Sequence, residues 1–294
     1  MSIESALALI ESVKDYRVVV AGDAIIDEYH YVIPLGKAAK EHLIPMRYVN
    51  KEVFEGGVVA AAKHLRTFCK EVTVWKGAKE TRKVRMVDKN YLRKLAEIHY
   101  EQNVFVENEP KEDVDVVILA DFGHGAISAK EAAHYHEGVD FLAVSTQTNS
   151  ANIGFNLITK YPSASYIVID EPEARLAAAD QDGHLEDVIH KLAHGRCERF
   201  VVTHGRHGAY GYDHGKFFHC KAFTDLVRDT MGAGDAFFAV TAPMAKTGSM
   251  KDLLLIGNAA GALKTQIVGH RASVTKEALV AFLKMEHKEI AHAV

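Results

Sequence analysis

The sequence predicts an α/β protein with three layers, in which one mostly parallel sheet is flanked by helices and carries a small β lid. Short apolar runs, typical of strands buried on both faces, alternate with helical patterns along the 294 residues. This alternation is typical of a parallel sheet covered by helices. Two charged stretches with period-2 fragments interrupt it. We therefore expect a single domain over 1–294, with lid segments inserted in it.

The elements follow one another in a regular order. A short amphipathic helix is predicted over 1–14. Pro243 should kink or shorten the helix in which it falls, because proline lacks the N–H that a helix interior needs. The predicted strands cover 17–21, 114–120, 141–145, 166–169, 200–203 and 209–212, and the predicted helices cover 58–68, 129–136, 173–179, 185–194, 233–246, 251–267 and 276–287.

The predicted lid consists of two segments, about 29–53 and 81–105, which are richer in charge than the rest of the chain. Alternate residues of a strand share a face, so Lys83 and Arg85 should point one way and Arg82 the other. An exposed lid edge favours pairing with a second chain. We therefore expect a homodimer formed through the lid.

Composition and charge exclude several classes of protein. Hydrophobic residues make up 48% and charged residues 25%, as in ordinary globular proteins. The net charge of −4 gives no strong attraction to nucleic acid or to a membrane. Cys69, Cys197 and Cys220 lie far apart, which is typical of reduced thiols. No secretory signal or membrane-spanning stretch is recognised, so we expect a cytoplasmic protein.

The strongest chemical signal is Asp229-Thr230-Met231-Gly232-Ala233-Gly234-Asp235, followed directly by a helix. The glycines let the backbone curl so that successive N–H groups point into one cavity, and the helix N-terminus adds positive potential. Asp235 suits the role of a base that takes a proton from a hydroxyl attacking a phosphoryl group. The structural alternative is a glycine-rich turn with an acidic residue favoured by the helix dipole.

Further landmarks follow in the order expected of one family. They are Val18-Val19-Val20-Ala21-Gly22-Asp23 with Asp27 and Tyr29, Gly56-Gly57, Asp170-Glu171-Pro172-Glu173, Val202-Thr203-His204-Gly205 with Gly208, and Asn258-Ala259-Ala260-Gly261. Together with the aspartate-glycine motif they resemble the ribokinase-like (PfkB) carbohydrate kinase family over nearly the whole chain. Segments 22–31, 81–85 and 120–126 are most similar to the heptose-phosphate kinase subgroup of ADP-heptose synthesis.

The resemblance implies a ribokinase-like fold and transfer of the ATP γ-phosphoryl group to a hydroxyl of a sugar or sugar phosphate, with a heptose-phosphate-like acceptor favoured. It implies ATP and Mg²⁺ as cofactors, and a monovalent cation as a further candidate. The implied roles are catalysis by Asp235 with Gly232, Ala233 and Gly234; acceptor binding by Asp23, Asp27, Gly56, Gly57, Lys83, Arg85 and Asp121; nucleotide binding by Thr203, Gly205, Gly208, Thr230 and Asn258; and metal binding by Glu173 and Asp170.

Structural alternatives exist for several of these side chains. Asp23 could cap a turn, Glu173 could be a first-turn glutamate favoured by the helix dipole, and Lys83 with Arg85 could form a solvated strand face. The seventeen histidines suggest a zinc site, but their spacing does not match tight ligand sets.

Four departures from the family pattern bear on activity. Ala60 stands where an asparagine usually contacts the sugar, Asp170 replaces the asparagine of NxxE, and Gln147 lies where a phosphate-facing lysine is expected. The segment 76–80 is too short for a crossover between neighbouring parallel strands. Either the sheet has lost an element or the sequence omits residues.

Two other functions were considered. A catalytically impaired nucleotide- or sugar-phosphate-binding protein of the same fold is the alternative, although the intact base argues against it. A nicotinamide dehydrogenase is excluded because no GxGxxG follows the first strand.

Overall fold

The computed structural model describes residues 3–77, 79–101, 113–136, 138–223, 229–267 and 269–292. In chain order the elements are α1 Ile3–Ser12, β1 Arg17–Gly22, β2 Ala24–Pro34, β3 Met46–Gly56, α2 Gly57–Leu65, β4 Glu71–Lys76, β5 Thr81–Asp88, β6 Lys94–Tyr100, β7 Val116–Asp121, α3 Ala129–His136, β8 Leu142–Thr146, β9 Tyr166–Asp170, α4 Glu171–Ala178, α5 Leu185–Ala193, β10 Arg199–Thr203, β11 Ala209–Asp213, β12 Lys216–Cys220, α6 Ala233–Met244, α7 Met250–Thr265 and α8 Lys276–His292.

The main sheet has the strand order β12-β11-β10-β9-β8-β7-β1-β4. Its strands from β10 to β4 run parallel, and β11 and β12 form an antiparallel edge. Alternate side chains of β1 enter two different apolar clusters, because successive residues of a strand face opposite sides. Helices α1, α2, α6, α7 and α8 cover one face, and α3, α4 and α5 cover the other. The predicted three-layer α/β fold is confirmed.

The second sheet has the order β3-β2-β5-β6 and forms the lid. In it β2 and β5 run parallel, while β3 and β6 pair antiparallel on the two outer sides. Residues 102–105 of the second predicted lid segment lie outside the described ranges. The concern about the short segment after β4 rested on a wrong premise: β4 belongs to the main sheet and β5 to the lid, so no crossover within one sheet is needed.

Two differences from the predicted elements have a common physical cause. Strands β4 and β12 lie at the two edges of the main sheet and have partly exposed side chains, so they lack the apolar runs that mark buried strands.

Pro243 lies in the last turn of α6, which ends at Met244. Among the described helices, none combines the length and apolar character needed to cross a bilayer.

Candidate active site

One cavity of about 1270 Å³ lies between the lid and the carboxyl ends of the main-sheet strands. This is where ligands bind in open parallel sheets. Its lid side is lined by Asp27, Lys83 and Arg85, and its opposite side by the strand ends at Asp170 and Thr203. The lid and the body therefore enclose a common space large enough for two substrates.

The anion loop, residues 229–235, is held by contacts on both sides of its backbone. Gly232 takes φ 75°, a left-handed conformation that favours glycine, and directly precedes α6. The Asp229 carboxylate accepts hydrogen bonds from the N–H groups of Met231 (3.1 Å) and Gly269 (2.9 Å). Lys264 Nζ donates to the Met231 carbonyl at 2.9 Å. The loop is thus fixed before any ligand binds.

Asp235 lies in the first turn of α6, half-buried in the cavity wall. Its carboxylate has no hydrogen bond or ion pair within the described ranges, whereas a structural cap would accept one. Burial raises its pKa, although the nearby His270 and Lys264 oppose that shift. A carboxylate with a raised pKa and an open face is a suitable proton acceptor.

Asp27 is held by two basic side chains at the lid end of the cavity. Arg85 donates to its Oδ1, and His270 Nε2 lies 3.2 Å from its Oδ2. Burial alone would raise the pKa of Asp27, but these hydrogen bonds and charges lower it to about 2. A Cβ on residue 56 would lie 2.4 Å from Asp27 Oδ2, so Gly56 makes room for this pair. Sequence reasoning missed His270.

The three basic residues of β5 have different surroundings. Lys83 and Arg85 are buried and line the cavity, whereas Arg82 faces away and lies over the Tyr100 ring at 4.3 Å. Arg85 is occupied by Asp27 and by Glu97, whose Oε2 lies 2.5 Å from its Nε. Lys83 has no ion pair within the described ranges. Its ammonium is therefore available to a ligand.

Asp23 and Asp121 differ from the expectation for acceptor ligands. Asp121 is turned into the protein, where it accepts from the Tyr161 hydroxyl at 2.6 Å and pairs with Lys160. Asp121 does not line the large cavity, and its contact with the acceptor stays a prediction. Asp23 accepts from the Ala126 N–H at 2.8 Å through Oδ1, while its Oδ2 is buried without a partner. Burial, together with the charge of Asp121, raises the pKa of Asp23 to about 6.

Asp23 is separated from the cavity by Gly57. This glycine lines the cavity and takes φ 57°, and a Cβ on it would lie 2.2 Å from the Asp23 carbonyl oxygen. The paired glycines therefore have separate functions: Gly56 accommodates the Asp27 side chain, and Gly57 lets the start of α2 approach the strand end.

The end of the cavity opposite the lid contains the residues that are predicted to bind the nucleotide. Thr203, Gly205, Gly208 and Thr230 all line it. Gly208 takes φ 88°, and a Cβ there would lie 2.0 Å from the Cys220 carbonyl oxygen. The side chain of Asn258 donates to the carbonyls of Cys220 and Lys221. Asn258 therefore braces the end of β12 while it lines the same wall.

Asp170 and Glu173 form a capping box at the start of α4. Glu173 Oε1 also accepts from the Thr148 N–H at 2.8 Å. Burial and the charge of Asp170 raise the pKa of Glu173 to about 8. Glu173 thus has the structural role expected of a first-turn glutamate, and both carboxylates still line the cavity.

This carboxylate pair suits a magnesium ion. Neither group is ion-paired within the described ranges, and a divalent cation would relieve their mutual repulsion. No cluster of three or more metal-ligating side chains occurs in the part of the chain that the structure describes. Mg²⁺ usually takes one or two carboxylates and completes its shell with water and phosphate oxygens, which this pair permits.

The chain is similar in sequence to known carbohydrate kinases. The profile described as pfkB family carbohydrate kinase matches residues 130–277. A probable chloroplastic fructokinase-6 of Arabidopsis thaliana is 28% identical over 163 residues, which cover 52% of this chain. The match spans 42% of the length of that relative.

Solved structures resemble the chain over most of its length. Ribokinase from Thermotoga maritima has a TM-score of 0.71 at 17% identity and covers 92% of this chain and 99% of its own. Ribokinase of Arabidopsis thaliana complexed with ribose and ATP has a TM-score of 0.67 at 16% identity, with the same coverage. Phosphofructokinase-2 from Escherichia coli in complex with substrates and products has a TM-score of 0.67 at 12% identity and covers 93% of this chain and 99% of its own. At these identities the likeness shows the fold.

Proposed function

Because the chain belongs to the pfkB family of carbohydrate kinases, we propose that it transfers the γ-phosphoryl group of ATP to a hydroxyl of a sugar or a sugar phosphate. The observation that carries this proposal is Asp235. Its carboxylate is unpaired within the described ranges, lies in the cavity wall and follows a backbone anion site. A base next to an anion site is what transfer of a phosphoryl group to a hydroxyl needs.

The proposed reaction uses few protein groups. Asp235 takes the proton of the acceptor hydroxyl while its oxygen attacks the γ-phosphorus, and the bond from that phosphorus to the β-phosphate oxygen breaks. The electron pair of that bond leaves with ADP. The N–H groups of Gly232 and Gly234 would face the charge that grows on the transferred group, whereas the N–H of Ala233 donates to the Thr230 carbonyl at 3.3 Å. Mg²⁺ at Asp170 and Glu173 would supply positive charge to the phosphates.

We further propose that the acceptor carries an anionic group, as a heptose phosphate does. Lys83 is the observation behind this statement, because its buried ammonium lines the cavity without an ion pair in the described ranges. Burial lowers the pKa of Lys83, and the charge of Asp27 opposes that shift. A phosphate would give this cation the partner that it lacks.

A binding protein that has lost catalysis is the alternative. Gln147 lines the cavity where the family pattern has a lysine, and Ala60 is buried where the pattern has an asparagine. The open carboxylate of Asp235 argues for catalysis, since a binding protein has no use for it.

We also propose that the lid forms a homodimer. Its outer strands β3 and β6 each pair on one side only. Large apolar side chains are exposed on them, at 56% for Tyr48, 50% for Val53, 44% for Ile98 and 47% for Tyr100. A second lid would cover these groups and satisfy the free strand edges.

A substrate panel tests the activity. We would measure ADP release from ATP with neutral sugars and their phosphates, with the wild type and Asp235→Asn side by side. Turnover of a sugar phosphate by the wild type, and its loss in the variant, is the expected result. ATP binding without turnover of any acceptor would favour the binding protein instead.

A further inference from the structure

Lys264 is a fully buried cation directly behind the anion loop, with 1% of its surface exposed. Its ammonium donates to the Met231 carbonyl at 2.9 Å, the Gly269 carbonyl at 2.7 Å and the Ile267 carbonyl at 3.5 Å. A buried lysine is ordinarily paired with a carboxylate. Lys264 has no such ion pair within the described ranges, and carbonyl oxygens surround it instead.

These carbonyls come from two separate segments that the cation holds together. Met231 belongs to the anion loop, whereas Ile267 and Gly269 follow the end of α7. Asp229 joins the same segments from the other side, since it accepts from the N–H groups of both Met231 and Gly269. Carbonyl oxygens converging on one positive charge, with a carboxylate nearby, form the kind of donor set that binds K⁺.

We propose that the ammonium of Lys264 stands in for a bound monovalent cation, so that phosphoryl transfer by this chain requires neither K⁺ nor NH₄⁺. The resemblance to sugar kinases made such a cation a candidate cofactor. The oxygens next to the anion loop that would bind such a cation already accept hydrogen bonds from the ammonium of Lys264. A second cation therefore does not fit there.

The ammonium of Lys264 also orients the anion loop. In a trans peptide the C=O and the following N–H point in opposite directions. Holding the Met231 carbonyl against Lys264 therefore turns the Gly232 N–H towards the cavity. A Cβ on Gly232 would lie 3.2 Å from Lys264 Cε, so the glycine also makes room for the lysine stem. Burial lowers the pKa of Lys264, while Asp229 and Asp235 favour its charged form.

The first test needs no substrate. We would measure the melting temperature in choline, Na⁺, K⁺ and NH₄⁺ chlorides at equal ionic strength. The wild type should melt at one temperature in all four salts. Lys264→Ala empties the ring of carbonyls, so K⁺ or NH₄⁺ should raise its melting temperature saturably by a few degrees, because ligands of the native state stabilise it.

The second test is kinetic and is the only part that rests on the proposed function. Wild-type turnover should agree within about twofold between choline and K⁺. Lys264→Ala should lose about tenfold or more in choline, the scale on which misplaced N–H donors act, and should recover in K⁺. Lys264→Met fills the space with an apolar chain, so K⁺ should not rescue it.

Lys246→Ala is the matched control. This lysine is exposed and also donates to a carbonyl, that of Asp115 at 3.2 Å, but far from the anion loop. It should show no cation response.

Two outcomes would overturn the proposal. Saturable activation of the wild type by K⁺ but not by Na⁺ would show a separate cation requirement. A Lys264→Ala protein that melts alike in all salts would show that the carbonyls bind no cation. If that variant fails to fold, the wild-type salt series decides alone. If no acceptor is turned over at all, the proposed function fails while the melting result still stands.

Discussion

The two ends of the cavity are built from different parts of the chain. At the body end, the anion loop presents backbone N–H groups, and it is held in place by half-buried Asp229 and fully buried Lys264. The lid end presents ionisable side chains: Asp27, Lys83, Arg85, Glu97 and His270. Backbone N–H groups recognise a phosphate in any molecule, whereas a set of charges selects a particular acceptor. On the proposed function, the body therefore recognises the phosphate, and the lid selects the acceptor.

The largest expected effect comes from replacing Asp235 at the body end of the cavity. Asp235→Asn removes the proton acceptor and keeps the shape, so turnover should fall by about 10²-fold or more while ATP binding and the melting temperature stay nearly unchanged. Steady-state kinetics and calorimetric ATP titration measure both. Because burial raises the pKa of Asp235, wild-type turnover should decrease as the pH falls through that raised value. A variant that keeps the wild-type rate on every accepted sugar would contradict the assignment.

The body end of the site could be predicted from the sequence more fully than the lid end. The anion loop is one contiguous glycine motif, and the buried strands are contiguous apolar runs, so both could be predicted. The lid end combines residues from four distant segments, and nothing local marks His270 as the partner of Asp27. The sequence gives one weak indication of the role of Lys264, because it is a single lysine in a buried stretch of α7. Nothing local marks Lys160 and Tyr161, which are 39 and 40 residues away, as the partners that turn Asp121 inward.

The next effect separates two cations of the lid end. Lys83→Met should raise the KM of a phosphorylated acceptor by about tenfold to a hundredfold, the equivalent of a charge-assisted contact of about 1.5–3 kcal/mol. The KM of ATP and of any neutral acceptor should hardly change. Replacing Arg85 by Ala should raise the KM of charged and neutral acceptors alike, because Asp27 loses the partner that orients it.

Arg82→Ala is the control for this pair, since Arg82 lies on the same strand but faces away from the cavity. Neutral sugars turned over as well as their phosphates would contradict an anionic acceptor. So would an unchanged acceptor KM in both Lys83→Met and Arg85→Ala. The protein would then be a kinase of an unphosphorylated sugar or nucleoside, with Asp235 still its base.

A third prediction extends the comparison to assembly. If the lid alone forms the interface, Ile98→Glu should convert a dimer to a monomer at micromolar concentration, because it buries an unpaired charge in an apolar contact. Light scattering checks the mass. Met285→Glu is the control, since Met285 is 51% exposed but lies on α8, away from the lid. A wild-type monomer at that concentration would show that the lid faces solvent.

The smallest effect concerns Asp23, at the junction where β1 leads into the lid. Its folded-state pKa of about 6 lies above the ordinary value of 3.8, so the native protein binds the proton more tightly than the unfolded chain. The contribution of Asp23 to stability should therefore be fully present below about pH 4 and be lost as the pH rises through about 6. Asp23→Asn cannot titrate there, so it should lose about 1–3 kcal/mol less than the wild type between pH 4 and pH 7.

Asp121→Asn is the contrasting variant, because it removes the buried carboxylate that pairs with half-buried Lys160. Breaking such a pair should destabilise the protein by about 3 kcal/mol. Urea unfolding of the three proteins at both pH values measures all these differences. Equal pH dependence of the wild type and Asp23→Asn would mean that Asp23 is ionised and solvated in the folded protein. Burial would then not set its protonation.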